Sequence, residues 1–306
     1  MKSFGLVSYV GDGDERVGLL SNERIYNAMP VLSGLLTASP TMEAVLQNWD
    51  VVYPPLRKLG EEIEDSQIIE GIALDSTRLL PPLPRPRNIY CAFANYSDHM
   101  REMGGQPADK TAEDPFLFLV PSTAVVGPEE PIQLPKGFTK VDWEAELVAV
   151  IGRPARNVPV ERALDYVAGY TILNDVSARG GARRGANGGR PDFLSSKGRE
   201  SFKPMGPALV PAEFIADPQA LAIRLWVSGV LKQNSNTAQM IFTTAEQISF
   251  ASHVGTLQPG DVFATGTPAG VGMPKGTFLV PGDEITIEIE RVGRLHNPVI
   301  GDSGLH

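Results

Sequence analysis

A run of prolines divides this chain into two unequal parts. Residues 81–86 read Pro-Pro-Leu-Pro-Arg-Pro. Proline has no backbone N–H and a fixed φ, so such a run cannot continue a helix or lie within a central strand. We therefore predict an extended linker at residues 81–87. A small domain at residues 1–80 precedes it, and a larger domain at residues 88–306 follows.

The two parts carry different secondary-structure signals. Before the linker, residues 4–9 and 17–20 predict short strands, and Ser39 followed by Pro40 predicts a helix N-cap with proline in the first turn. After the linker, β-prone runs broken by glycine and proline predominate, and a capping box beginning at Thr243 indicates one helix. The pattern predicts an α+β chain that is mostly β, with a small α+β N-terminal domain.

Two glutamates lie one residue apart in a β-prone run after the linker. Glu144 and Glu146 lead into the apolar residues 147–151. Residues i and i+2 of a strand project from the same face, so both carboxylates would enter one space. If they are buried, their repulsion requires a cation, and a divalent metal that prefers oxygen ligands fits. The alternative is a solvated edge strand that carries two surface acids.

A third carboxylate favours the metal site over the solvated edge strand. Asp175 follows a second apolar run at residues 166–174, and strand ends commonly present functional side chains. Three carboxylates from two strands suit octahedral Mg²⁺ or Mn²⁺, whereas Ca²⁺ more often uses a contiguous loop. Zinc is disfavoured because the chain has one cysteine and four scattered histidines. We therefore predict that Glu144, Glu146 and Asp175 bind Mg²⁺ or Mn²⁺.

Composition narrows the class of protein. With 306 residues, of which 42% are hydrophobic, the chain can bury a large core. Its formal charge of −9 argues against nucleic acid and anionic membrane surfaces as partners. The single cysteine, Cys91, lies in an apolar run and is expected to be a buried small side chain. With one cysteine, no signal-peptide pattern and no apolar run long enough for a membrane span, we expect a cytoplasmic protein.

Seven short motifs follow one another along the larger part of the chain. They lie at residues 95–102, 142–147, 169–179, 197–207, 259–262, 265–272 and 281–283. In this order they resemble the fumarylacetoacetate hydrolase family, in its acylpyruvate hydrolase-like or 2-hydroxyhepta-2,4-diene-1,7-dioate isomerase-like branch. The resemblance covers roughly residues 85–300. It implies a mixed β-roll in the C-terminal domain and assembly as a homodimer.

The resemblance also implies three catalytic residues. His99 and Glu102 match a dyad in which the carboxylate orients the imidazole so that it takes a proton from water. Without the motif, such a pair three residues apart is more often a surface pair without function. Lys197 matches a lysine that stabilises negative charge at the reacting carbonyl, although a lysine is ordinarily a solvated charge.

Three further residues are assigned to the substrate by the same resemblance. Arg179 and Thr267 match residues at the substrate carboxylate, and Tyr96 belongs to the motif of the dyad. The alternative for Arg179 is a structural salt bridge. For Thr267, the surrounding glycines either allow close backbone approach or only form turns.

The chain departs from the family pattern in two places. A glutamine that follows the arginine motif in some relatives is missing, and residues 180–190 form a glycine-rich segment containing Arg183, Arg184 and Arg190. These arginines are either a second anion contact, which would suit a substrate with two carboxylates, or a solvated loop. Phe93 stands where relatives often have glycine, which would narrow the pocket.

The predicted function is that of a metal-dependent hydrolase. It would cleave the C3–C4 bond of a small anionic 2-oxo acid, a 2,4-diketo acid such as maleylpyruvate, fumarylpyruvate or a fumarylacetoacetate-like compound, to pyruvate and a carboxylic acid. The family alternatives are an oxaloacetate-type decarboxylase, a hydroxyheptadienedioate isomerase and a 2-keto-3-deoxy sugar-acid dehydratase. A metal-stabilised binding protein without chemistry is a third interpretation, and the retention of all the predicted site residues argues against it.

Overall fold

The computed structural model describes residues 3–37, 40–65, 70–179 and 192–301. Within these ranges the chain forms strands throughout and helices mainly near its N-terminus. The strands are β1 (Gly5–Gly11), β2 (Asp14–Ser21), β3 (Arg24–Asn27), β4 (Ile72–Ala73), β5 (Ile89–Ala92), β6 (Leu117–Val120), β7 (Val125–Val126), β8 (Ile132–Leu134), β9 (Val141–Asp142), β10 (Ala145–Ile151), β11 (Val167–Asn174), β12 (Ser177–Ala178), β13 (Lys203–Pro211), β14 (Ala222–Val227), β15 (Val230–Asn236), β16 (Val262–Ala264), β17 (Glu284–Ile289) and β18 (Gly293–Gly301). The helices are α1 (Met29–Ser33), α2 (Met42–Gln47), α3 (Trp49–Asp65), α4 (Ser97–Glu102), α5 (Phe193–Lys197) and α6 (Thr244–Val254).

One large sheet crosses the molecule. Its strand order is β4-β3-β2-β1-β13-β11-β10-β16-β5-β6, with β7 beside β13. The N-terminal strands join this sheet where Leu6 of β1 lies opposite Leu209 of β13. The first part of the chain therefore extends the sheet of the larger part. Residues 81–87 form neither helix nor strand, and their role as a domain boundary stays a prediction.

Two smaller sheets complete the fold. A five-stranded sheet has the order β15-β14-β17-β18-β8, and β9 pairs with β12 in a two-stranded sheet. Strand β17 buries alternate residues, as expected for a strand with one face on the core. The predicted α+β, mostly β fold class is confirmed.

Strand β10 is buried on both faces because it lies between two apolar layers. Its odd-numbered residues, such as Leu147 and Ala149, belong to the core shared with the five-stranded sheet. Of its even-numbered residues, Val148 and Val150 belong to the core shared with α2 and α3. This middle position explains the continuous apolar run in the sequence, since a strand covered on both sides has no solvent-facing row. Cys91 of β5 is likewise fully buried, as predicted.

The helix starts differ from the predictions in one case. Thr243 caps α6 in a complete capping box with Glu246, as predicted. Helix α2, however, begins at Met42 and is capped by Thr41, whose hydroxyl accepts the Ala44 amide at 3.3 Å. Pro40 therefore precedes the helix, and the predicted proline in its first turn is wrong. Ser39 lies outside the described residues.

None of the helices in the described ranges has the length and apolar character needed to cross a membrane. The longest, α3, includes the charged residues Asp50, Arg57 and Lys58. Its buried residues pack on β10 and its neighbours.

Candidate active site

Three buried carboxylates meet at the ends of two paired strands. Glu144 directly precedes β10, Glu146 is its second residue, and Asp175 follows the last residue of β11. These strands are antiparallel, with Ala145 opposite Asn174, so the start of one lies beside the end of the other. Each acid offers an oxygen within 4.8 Å of the others. Because β10 lies between β11 and β16, the alternative of a solvated edge strand is wrong.

Three cationic side chains contact this cluster. The Lys197 ammonium lies 2.7 Å from Glu144 Oε2 and also contacts Asp175 Oδ2. The Lys203 ammonium lies 2.7 Å from the other oxygen of Asp175, Oδ1. Arg179 donates to Glu144 Oε1. Both lysines are buried, so these contacts are strong charge interactions in a weakly screened environment.

The charges act differently on the two glutamates. Burial raises a carboxyl pKa, but at Glu144 the charges of Lys197 and Arg179 outweigh burial and hold the pKa at about 2. At Glu146, burial and the negative charge of Asp175 raise the pKa well above its ordinary value. Glu146 is therefore the member of the cluster that most lacks a positive neighbour.

The donor set fits a hard divalent cation. All three ligating groups are carboxylates, and all three are buried. Mg²⁺ and Mn²⁺ prefer oxygen ligands and usually keep some positions for water or substrate. A divalent charge would also supply the positive neighbour that Glu146 lacks. This buried triad of acids can therefore bind a divalent metal.

A glycine-rich loop at residues 265–272 holds three carboxylates of the site through its backbone amides. The pairs are Gly266 with Glu146 (2.8 Å), Gly270 with Glu102 (2.9 Å) and Gly272 with Asp142 (2.7 Å). A Cβ added at Gly270 would overlap the carbonyl oxygen of Lys232. One at Gly272 would overlap the carbonyl oxygen of Thr277. The glycines are therefore required for close backbone approach, and turn formation alone does not explain them.

The predicted dyad lies on one side of the short helix α4. His99 Nδ1 and Glu102 Oε2 are 3.7 Å apart, which is longer than a hydrogen bond. Glu102 is held in place by the Gly270 amide. Such pairs are often longer in a free enzyme than with substrate bound, so this distance is compatible with a base and its orienting acid.

A cavity of about 200 Å³ opens beside the acid cluster. Charged and apolar side chains share its wall. The lining residues are Ala92, Phe93, Ala94, Asn95, His99, Met100, Met103, Phe118, Glu144, Arg179, Lys197 and Thr267. Five of the nine residues predicted for the site therefore meet at one cavity, and Phe93 lies in its wall.

Arg179 and Thr267 reach the cavity with side chains that already have partners. Arg179 Nε donates to Asp142 Oδ2 at 3.0 Å in addition to its contact with Glu144, so the salt bridge considered from the sequence is present. The Thr267 hydroxyl donates to the Ala145 carbonyl at 2.9 Å. Contact of either residue with substrate stays a prediction.

Tyr96, the third residue assigned to the substrate, lies in the core, and its contact with substrate stays a prediction. Its ring is fully buried in the main core and is not among the residues that line the cavity. Burial, together with the charge of Glu146, raises the pKa of its hydroxyl well above the ordinary value. The residue supports the site from within the core. Arg183, Arg184 and Arg190 lie outside the described residues.

Sequence reasoning missed two charged residues that hold the site together. Asp142 is fully buried and accepts the amides of Gly272 and Met273 as well as Arg179. Lys203 is fully buried at the start of β13. A signal was available, since a lysine that opens an otherwise apolar strand needs a buried anion.

The family models match nearly the whole chain. Fumarylacetoacetate (FAA) hydrolase C-terminal matches residues 88–300, and Fumarylacetoacetase N-terminal domain 2 matches residues 31–85. The fold thus places the chain in a family of enzymes, and its buried acid triad can bind a divalent metal. The chain belongs to the fumarylacetoacetate hydrolase family.

Relatives of known sequence include two vertebrate proteins. Oxaloacetate tautomerase fahd2, mitochondrial, of Xenopus laevis is 45% identical over 224 residues, which is 72% of this chain and 68% of that protein. Oxaloacetate tautomerase FAHD2B, mitochondrial, of Bos taurus is 43% identical over 223 residues, 72% of this chain and 69% of that protein.

Two solved bacterial structures have the same fold. Maleylpyruvate hydrolase from Sphingobium sp. SYK-6, in complex with manganese (II) ion and pyruvate, has a TM-score of 0.78 and 28% identity, covering 98% of this chain and 100% of that one. 2-Hydroxyhepta-2,4-diene-1,7-dioate isomerase from Mycobacterium marinum has a TM-score of 0.71 and 30% identity, covering 98% and 100%. The relatives are therefore hydrolases, isomerases and tautomerases.

Replacing Lys203 with methionine tests its place in the cluster. The variant leaves Asp175 Oδ1 without its ammonium in a buried site, and breaking a buried ion pair in this way costs about 3–5 kcal/mol. We expect the free energy of unfolding, measured with urea, to fall by that amount. Lys136→Met, at an exposed lysine, is the control and should change it by less than about 0.5 kcal/mol. Equal stability of the two variants would contradict the role of Lys203.

Replacing Gly270 with alanine tests the loop. The added methyl overlaps the Lys232 carbonyl, and the backbone φ of +107° is unfavourable for alanine. We expect a loss of about 2–4 kcal/mol in the free energy of unfolding. Gly255→Ala, where a Cβ meets nothing within 4 Å, is the matched control. If Gly270→Ala leaves the free energy of unfolding unchanged, the loop does not need this close approach.

Proposed function

We propose that this chain is a divalent-metal-dependent hydrolase of acylpyruvates. It cleaves the C3–C4 bond of a 2,4-diketo acid and releases pyruvate and a carboxylic acid. The observation that carries the proposal is the convergence of His99, Lys197 and Glu144 on one cavity of about 200 Å³. A candidate base, a cation for a developing oxyanion and a metal ligand thus face the same space.

Glu144, Glu146 and Asp175 would hold Mg²⁺ or Mn²⁺. A divalent cation there supplies Lewis-acid stabilisation for negative charge on a 2-oxo acid. The similar maleylpyruvate hydrolase, solved with manganese (II) ion and pyruvate, supports this assignment.

His99 is the proposed base. Its Nδ1 faces Glu102, so Nε2 is the atom that takes a proton from water. The resulting hydroxide bonds to C4 of the diketo acid. When the C4 carbonyl re-forms, the C3–C4 bond breaks and its electron pair stays on C3. The imidazolium of His99 then returns the proton to C3, so the overall reaction adds one water molecule.

Lys197 is the proposed oxyanion stabiliser. An ammonium has three N–H donors, and two of them serve Glu144 and Asp175. The third is available to the oxygen on C4 because Lys197 lines the cavity. The two carboxylates raise the pKa of Lys197, against the effect of burial, so the group keeps its charge.

Of the two side chains assigned to the substrate carboxylate, Arg179 is the better placed. The guanidinium has five N–H donors, and its contacts with Asp142 and Glu144 leave some of them for an anion. Thr267 has one hydroxyl proton, which the Ala145 carbonyl accepts, so that bond would have to break.

A second candidate is an oxaloacetate tautomerase or another isomerase or lyase of the family. Two vertebrate oxaloacetate tautomerases are 45% and 43% identical to this chain. Tautomerisation moves a proton between C3 and the 2-oxo oxygen, and it needs a base such as His99 but no attack by water. The decarboxylase, hydroxyheptadienedioate isomerase and sugar-acid dehydratase alternatives would use the same acid cluster.

The substrate class, the assembly and the cellular location are also proposals. We propose a small anionic 2-oxo acid as substrate and a homodimer as the assembly, without nucleic acid or membrane as partners. The net charge of −9 supports the exclusion of polyanions. A cytoplasmic location is proposed from the sequence, whereas the two vertebrate relatives are mitochondrial proteins.

The direct test is release of pyruvate from a panel of acylpyruvates in the presence of Mg²⁺, Mn²⁺ or a chelator. We expect chelator-sensitive pyruvate and an equal amount of the partner acid. Glu146→Gln should abolish this turnover and weaken Mn²⁺ binding, measured by calorimetry, by more than about 100-fold, because it removes a charged ligand. Glu161→Gln, at an exposed acid, is the control. Full activity of Glu146→Gln would exclude the metal assignment.

The His99→Gln variant tests the proposed base independently of metal binding. We expect unchanged Mn²⁺ affinity and a fall of roughly 10²–10⁴-fold in pyruvate release, as for loss of a general base. Oxaloacetate tautomerisation, followed by ultraviolet absorbance, is measured in parallel. Tautomerisation without any pyruvate release from diketo acids, in the unmodified protein, would replace the hydrolase by the second candidate.

A further inference from the structure

The cavity beside the acid cluster has a charged end and an apolar end. Glu144 and Lys197 are buried at its inner end. Phe93 and Met103 line it as well, but they are 49% and 41% exposed, so they lie toward its mouth. An extended substrate whose 2-oxo acid part reaches the charged end therefore places its other end among apolar side chains.

The lysine and the arginine in the described part of the cavity wall each have carboxylate partners. Lys197 contacts Glu144 and Asp175, and Arg179 contacts Glu144 and Asp142. Both cations contact Glu144 at the inner end of the cavity. Among the described residues that line the mouth there is no cation, so a carboxylate resting against Phe93 and Met103 would lose hydration without a positive partner from these residues, which is unfavourable.

The apolar wall is built from packed aromatic rings. Phe118 stacks on Phe193 with centroids 4.0 Å apart, and Phe93 meets Phe193 edge-on at 5.5 Å. Phe116 adds a fourth ring, 5.6 Å from Phe93 and 56% exposed. The rings hold one another in place, so they form a firm surface on which a flat or aliphatic group gains contact without ordering new side chains.

We infer that the acyl group of the substrate is apolar, either aliphatic or aromatic, and rests on Phe93, Phe118 and Met103. This inference rests on the proposed function and narrows its substrate class. The reaction consumes one water molecule and yields pyruvate and an alkanoic or aromatic monocarboxylic acid. The preference differs from that of a hydrolase for maleylpyruvate, whose acyl group carries a second carboxylate.

A matched pair of substrates tests the inference. Pentanoylpyruvate and succinylpyruvate have acyl chains of similar length, and only the second ends in a carboxylate. We expect kcat/KM for pentanoylpyruvate to be at least about tenfold higher, since differences of this size follow from one or a few methylenes in an apolar pocket. Equal values, or a preference for succinylpyruvate, would overturn the inference and leave the proposed hydrolysis standing.

A charge introduced at the mouth should reverse the preference. Met103 lies at the end of α4 and is exposed, so Met103→Arg is expected to fold. It should raise kcat/KM for succinylpyruvate and lower that for pentanoylpyruvate, each by about tenfold. Val254→Arg, at a residue that is 75% exposed and does not line the cavity, is the control and should change neither.

Binding measurements keep the inference testable without turnover. In His99→Gln with Mn²⁺, calorimetry should give at least about tenfold tighter binding of pentanoylpyruvate than of succinylpyruvate. This order without pyruvate release from the unmodified protein would refute the hydrolase and keep the apolar subsite. The reverse order would refute the subsite, whatever the reaction.

Discussion

The ion pairs around Asp175 are the interaction on which the site depends. Its two oxygens face two different ammonium groups, those of Lys197 and Lys203. Three carboxylates buried within a few ångströms would otherwise repel one another at a cost that packing could not offset. The lysines are buried for the same reason, since polar partners replace their hydration: Lys197 has two carboxylates, and Lys203 has Asp175 and two backbone carbonyl oxygens. The buried acids stay charged because the lysines are near, and the lysines can be buried because the acids are near. The strands and the helix that carry these residues must therefore stay aligned.

That alignment comes from the position of β10 in the fold. The strand is covered by the five-stranded sheet on one side and by the N-terminal helices on the other. Its pairing with β11 puts Glu144 and Glu146 next to Asp175, and its pairing with β16 brings the 265–272 loop to the same end. A central strand has no freedom to slip in register, because a shift by one residue would exchange its two apolar faces. The rigid middle of the sheet therefore supports a polar site at its end.

Local patterns in the sequence were enough for the strands, the acid triad and the α6 capping box, since each depends on residues close together in the chain. The α2 cap was misplaced because Ser39 and Thr41 are both suitable N-caps two residues apart, and only the structure identifies Thr41. Lys203 and Asp142 were missed because their partners come from other elements, β11 for the first and the glycine loop for the second. The burial of Tyr96 could not be read from its motif, since neighbours in a motif need not point into the same space. Among the described strands, the sheet passes from the first part of the chain to the larger part through the pairing of β1 with β13, for which the chain has no local signal.

The glycine-rich loop has a consequence for how the site can change. One stretch of backbone sets the positions of Glu146 in the acid triad, of Glu102 beside His99, and of Asp142, which holds Arg179. A displacement of this stretch moves all three acids together. The distance between the His99–Glu102 pair and the acid triad therefore changes little when the loop shifts. Substrate preference can diverge through the aromatic wall, because its residues are not part of this loop: Phe118 lies on β6, Phe193 on α5, and Phe93 and Phe116 lie directly beside β5 and β6. The fold thus separates the loop that positions the acids from the aromatic wall that contacts the substrate. Substitutions at the cavity mouth can therefore change substrate preference without displacing the acids.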